Sequence, residues 1–213
     1  MRKLLFGAAL LLLPAALSAQ STTIDFSSLA FNGDTASGPR GVASPLNLNG
    51  YTLTATDPFG LPPILVYSSQ STNSADLGGA AIFPNRSEPG ITITRSDGGL
   101  FTFNGLDLTY AFNDQNAFFG GGLATFTFNG GASVLTRSFD NLAGFQTFNF
   151  DIGNLSSVRI SADSPFQIDN VRLTAAAAAV PEPATWAMML VGFGGIGSAM
   201  RRSRRRAAKL ATA

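Results

Sequence analysis

Neither cysteine nor histidine occurs anywhere in the 213 residues. The first absence rules out a disulfide framework and a thiolate nucleophile. The second rules out a serine–histidine triad and any zinc or iron site ligated by imidazole. Charge is sparse as well, 13% of the chain. Residues 21 to 180 hold twelve acids and six Arg, a net of −6; the +1 of the whole chain arises because Arg2 and Lys3 stand at one end and five Arg with Lys209 at the other. The body therefore has no basic stripe with interleaved aromatics, and nucleic acid is excluded as a partner. A hydrolase using two carboxylates needs no histidine. Yet twelve acids give many accidental pairs, and the single Glu of the body, Glu88, lies in the turn-like stretch Asn85-Arg86-Ser87-Glu88-Pro89-Gly90. No enzymatic activity is expected.

What is present begins with a leader. Met1-Arg2-Lys3 is basic, 4–17 is apolar apart from its Gly and Pro, and Leu17-Ser18-Ala19 offers small residues around a cut before Gln20. This is the pattern of a secretory signal peptide over 1–19, which makes the Sec translocon and signal peptidase partners.

In the body apolar residues recur with period two. Examples are Tyr51, Leu53 and Ala55; Ile91 and Ile93; Leu106, Leu108, Tyr110 and Phe112; Ala124, Phe126 and Phe128; Phe148, Phe150 and Ile152; Val158 and Ile160. Alternation of this kind marks strands with one buried face. Asn-Gly pairs at 32–33, 49–50, 104–105 and 129–130 suit tight turns, because both residues tolerate positive φ. Asn129-Gly130-Gly131, between ATFTF and SVLTRSF, predicts a hairpin. The expected fold is all-β, a single antiparallel β-sandwich of jelly-roll-like type with about ten short strands. Residues 32–50 and 68–79 read as surface loops.

The carboxyl end changes character. From Ala184 to Met200 there are seventeen residues without a charge, about 26 Å as a helix and close to the roughly 30 Å of a hydrocarbon layer. Arg201, Arg202, Arg204, Arg205 and Arg206 follow and would keep that end cytoplasmic. Pro181 and Pro183 flank Glu182 and favour an extended backbone open to a peptidase.

Pro181-Glu182-Pro183, then Trp186-Ala187-Met188-Met189 and Gly192-Phe193-Gly194, then the arginine cluster, resemble the PEP-CTERM sorting signal of Gram-negative bacteria. The resemblance implies recognition by an exosortase, which cuts near the motif, and an inner-membrane-anchored precursor that becomes a cell-surface or extracellular protein. It divides the chain into signal peptide (1–19), β-sandwich ectodomain (20–174), alanine-rich spacer (175–180), sorting signal (181–206, with a transmembrane helix at 184–200) and cytoplasmic tail (207–213). It also implies partnership with exopolysaccharide, biofilm or other surface proteins. The alternative is a carbohydrate-binding module, for which the aromatic supply is thin: Trp186 is in the tail, Tyr51 and Tyr110 are in phase with apolar neighbours, and only Tyr67 is unconstrained. A carboxylate-pair polysaccharide hydrolase comes third.

The last strand has two readings, a structural metal site or a plain bulge that Asp169 and Asn170 cap while Asp25 stays in solvent. In FQIDNVRL the apolar phase slips at Asp169-Asn170, as at a bulge. Asp169 together with Asp25 of the first strand would offer oxygen ligands to a structural calcium between the terminal strands.

Overall fold

The computed structural model describes residues 19–32, 38–68, 71, 79–111, 121–140, 144–177 and 183–210. Ala19–Ala176 form one compact unit, and the segment from Ala177 onward belongs to a second. The first unit is built of β1 (Ser21–Ile24), β2 (Arg40–Val42), β3 (Leu46–Leu48), β4 (Tyr51–Thr54), β5 (Ile64–Val66), β6 (Ile82–Pro84) and β7 (Ile91–Arg95). It continues with β8 (Phe101–Tyr110), β9 (Gly122–Phe128), β10 (Ser133–Phe139), β11 (Gln146–Leu155), β12 (Val158–Ala162) and β13 (Phe166–Ala175). Beyond Ala177 the described residues of the second form the helix α1 (Pro183–Leu210).

The strands make two sheets with every pairing antiparallel. One runs β11-β8-β13-β6-β5-β2 with β1 also on β13, the other β10-β9-β12-β7-β4-β3. From β7 to β13 the chain passes back and forth between the sheets, so most neighbours in space are remote in sequence. Alternation decides which side chains go inward. In β9, Ala124, Phe126 and Phe128 are buried while Thr125 and Thr127 face out; in β4 and β7, Thr52, Thr54, Thr92 and Thr94 do the same. The inward phenylalanines meet across the gap, Phe103 of β8 lying 6.1 Å from Phe126 and 6.4 Å from Phe128 between ring centroids, and within its own sheet 5.2 Å from Phe150 of β11. Each fully buried ring contributes on the order of 2–3 kcal/mol. The expected antiparallel sandwich is what the structure shows.

β13 is the hub. β8 lies along one edge, from Phe166 opposite Tyr110 to Ala175 opposite Phe101. The other edge is shared by β6 at Ile168 and by β1 from Val171 to Thr174. First and last strands are thus neighbours, and Ala175 N–H donates to the Gln20 carbonyl at 2.9 Å.

The expected slip at Asp169-Asn170 is real: the β13–β8 register shifts between Asp169 and Arg172, and Asn170 has φ 46°. β11 is bulged beside it, at Asp151 (φ 54°) and Asn154 (φ 58°). Across the three strands Asp107 binds them together. It accepts from Thr147 Oγ1 at 2.9 Å, Asn170 Nδ2 at 2.9 Å and the Arg172 guanidinium at 3.0 Å.

Several expectations need correction. Asn104-Gly105 is not a turn but lies inside β8, where a side chain at 105 would stand 2.2 Å from the Phe148 carbonyl. The 32–50 stretch is not all loop, since it forms β2 and β3. Asn49-Gly50 does turn, with φ 49° and 83°, between β3 and β4. In the second expected loop Ser68 and Ser71 are buried; residues 69–70 and 72–78 lie outside the described ones, as does Gly33 of Asn32-Gly33. The helix is longer than expected and starts with Pro183 as its first residue rather than after an extended proline; a first-turn proline loses no helical hydrogen bond. Finally, among the described residues no helix is long and apolar enough to cross a membrane. The expected span at 184–200 falls short because Gly192, Gly194, Gly195, Gly197 and Ser198 dilute its apolar residues and the arginines begin at 201.

Candidate functional site

At 1.5 Å per residue α1 is about 42 Å long, and every side chain described along it, from 186 to 202, is exposed. Trp186, Met188, Leu190, Val191, Phe193 and Ile196 point away from it in turn, an apolar girdle without a polar stripe until Arg201 and Arg202. Helices that are apolar all round are covered by protein or lipid in their working state. Ser198 Oγ donates to the Gly195 carbonyl at 2.8 Å, which satisfies the hydroxyl within the helix. Pro181 and Glu182, and the side chains of Pro183, Arg204, Arg205 and Arg206, lie outside the described residues.

The calcium candidates follow the expected topology only in part. The β1 ladder ends at Ile24 opposite Val171, one residue before Asp25. Asp25 is exposed and its Oδ1 accepts the Ser27 N–H at 3.2 Å, a local turn, whereas Asp169 is buried. Among the described residues no three His, Cys, Asp or Glu stand together. A calcium ion here would have to draw most of its six to eight oxygens from carbonyls and water.

A cleft of about 600 Å³ opens at one end of the sandwich. It is assembled from four remote pieces: Pro39 before β2, Leu65 and Tyr67 of the β5 region, 83–88 at the end of β6, and Ala111 with Pro165. Tyr67 and Phe83 stack beneath it, centroids 4.8 Å apart and planes 19° from parallel. Arg86 and Glu88 stand exposed at its rim. Arg86 is held from behind. Its Nε donates to Asp57 Oδ2 at 3.3 Å, and its guanidinium lies over the Phe59 ring at 4.8 Å.

Asp57, whose side chain is fully covered, also accepts from Phe59 N at 2.7 Å and Asn85 Nδ2 at 3.0 Å. Burial pulls its carboxyl up, but the backbone N–H groups of Phe59 and Leu61 and the Arg86 charge outweigh that and hold it below the ordinary carboxylate range. Fixed in this way, the 57–63 segment displays Phe59, 72% exposed, and Leu61, 52% exposed.

A smaller hollow at the opposite end of β13 is lined by Gln20, Tyr51, Arg95, Asp97 and Ala175. Arg95 donates to the carbonyls of Leu100 at 2.7 Å and Ala176 at 3.3 Å, which fixes the point where the chain leaves the sandwich. The Tyr51 hydroxyl is buried without a partner, and burial pushes its pKa up.

Residues 179–206 match the family model of the PEP-CTERM protein-sorting motif. The chain carries that sorting motif. The PEP-CTERM match covers the tail alone and implies export with a membrane-anchored precursor; no curated protein matches the sequence. Among solved structures, a DUF4465 family protein from Bacteroides ovatus aligns with a TM-score of 0.42 at 11% identity over 73% of this chain and 99% of its own. An endo-1,4-β-D-xylanase of Clostridium thermocellum, comprising carbohydrate-binding and glycoside hydrolase modules and crystallised with xylohexaose, aligns with a TM-score of 0.31 at 14% identity over 65% of this chain and 28% of its own. Likenesses this distant carry no function across.

Of the residues singled out in the sequence, the PEP-CTERM motif gathers Pro181 through Arg206. The cleft was not anticipated. One signal for it was legible: Asp57-Pro58-Phe59-Gly60 is the residue order of an Asx-type turn, here with an apolar side chain at its tip.

Proposed function

We propose that the chain is a non-enzymatic exported protein of the cell surface or extracellular matrix. Its leader, 1–19, is removed on export. Its tail then holds the precursor at the inner membrane until an exosortase cuts near Pro181-Glu182-Pro183, and the released body works in association with exopolysaccharide or biofilm. The observation that carries this reading is the PEP-CTERM match over 179–206. Two features support it. The exposed apolar girdle of α1 suits lipid contact, and its glycine-diluted hydropathy suits temporary rather than permanent residence, with the arginines fixing the orientation. In the body, Glu88 is the one carboxylate among the described residues that line the larger cleft, and Asp57 behind it is kept ionised by its donors, an arrangement without the facing acid and base of a glycosidase.

Replacing Pro181, Glu182 and Pro183 together by Ala leaves the apolar girdle and the arginines intact. The expected outcome, read by intact mass and cell fractionation in the native host, is a precursor that keeps its tail and stays in the inner membrane. Normal trimming and release of that variant would reduce the tail to an ordinary anchor.

A further inference from the structure

We propose that the cleft beneath Arg86 and Glu88 binds an uncharged saccharide chain. This deepens the proposed association with exopolysaccharide and rests on it. The volume of about 600 Å³ lies inside the roughly 300–1,000 Å³ of small-molecule sites, and the pattern of an apolar floor with a few convergent polar groups is theirs as well. Leu65 with the stacked Tyr67 and Phe83 forms that floor, and Arg86 and Glu88 stand at the rim. A sugar ring is matched to such a surface, since its C–H face seats on apolar atoms while its equatorial hydroxyls reach donors and acceptors at the sides.

A peptide is a poor fit. Three of the lining residues, Pro39, Pro84 and Pro165, have no N–H to give. Nor is strand addition available at β5 and β6, because β5 is paired on both edges by β2 and β6, and β6 by β5 and β13.

Charge selects among saccharides. The Arg86 cation already faces Asp57, which leaves Glu88, among the described residues of the lining, as the charged group placed to accept from the occupant. The body carries −6 over residues 21–180, so a polyuronate would be repelled and a neutral chain would not. Among the described residues the cleft and the chain ends lie apart: Pro165 precedes the first residue of β13, whereas the chain enters and leaves the body at Gln20 and Ala176, beside the last.

The test uses the full-length chain purified in detergent and titrated with cellohexaose, laminarihexaose and maltohexaose, with a mannuronate hexamer as the charged comparison. At least one neutral hexamer binds, at low and at high salt alike. Binding weakens about tenfold or more in Glu88→Ala, which removes a charged acceptor, and in Leu65→Arg, which fills the floor; it is unchanged in Leu123→Ala, an exposed residue of the other sheet. Circular dichroism confirms that each variant is folded. The inference is overturned if none of the neutral hexamers binds at millimolar concentration, if binding survives both cleft variants, or if the mannuronate hexamer binds in preference and is released by salt. The titration needs no processing enzyme, so the cleft can fail while the tail is still cut, and the tail can go uncut while the cleft still binds.

Discussion

Asp57 does at the scale of one residue what the fold needs at the 57–63 turn: it takes donors from two segments and leaves an aromatic ring in water. Its carboxyl is depressed below the ordinary value of 3.8, so its contribution to stability is fully present above about 3.8 and is lost as the pH falls through the lower folded-state value. Thermal melting between neutral pH and about pH 2 should therefore show a steep acid decline in the native protein and a shallower one in Asp57→Asn. The variant should start from a lower melting temperature at neutral pH, because Arg86 loses its counter-charge. Equal acid slopes would mean that other carboxylates, such as Asp97, which the Gly99 N–H and Arg95 hold low, dominate the decline. The turn at Asp57-Pro58-Phe59-Gly60 was legible in the sequence, but the pairing was not, because Asp57 and Arg86 are 29 positions apart.

At the scale of elements, the three bulged strands β8, β11 and β13 are tied by Asp107, and the tie is measurable. Asp107→Ala strips partners from Thr147, Asn170 and half-covered Arg172, and should cost about 1–3 kcal/mol in urea unfolding. A change below about 0.5 kcal/mol, the size of an ordinary surface substitution, would show that the bulges hold themselves. Strands of this length announce themselves in the sequence, since alternation over five or more residues has no other cheap explanation. The Asp169-Asn170 slip was readable for the same reason, as a break in a long alternation. The first half of β8 was not, because Phe101 and Phe103 are out of phase with Leu106 and Leu108 across Gly105 and look like a separate segment. β2, β3, β5 and β6 have three residues each, too few to establish any period, and two of them, β5 and β6, line the cleft through Leu65, Phe83 and Pro84. In the tail, composition showed a helix, but the hydropathy of that helix depends on how its glycines are weighed.

On the scale of the whole molecule, the ends of the body are adjacent: Gln20 and Ala175 are hydrogen-bonded, and β1 pairs with β13. Joining residues 20 and 176 by a short glycine–serine linker and opening the chain between Gly130 and Gly131, at the exposed tip of the β9–β10 hairpin, should give a permuted body with unchanged circular dichroism and a melting temperature within a few degrees of the original order. A molten or insoluble product would show that the native order of the strands is needed for folding. The same adjacency has a mechanical meaning. A precursor still held by its tail beyond Ala176, if gripped at the Pro165 end, would be pulled along β13, over about 30 Å. The hydrogen bonds from β13 to β8, β6 and β1 then lie across the line of force and must rupture together rather than one after another, so the strand at the centre of the sheet is loaded in shear, the direction in which a sheet is strongest.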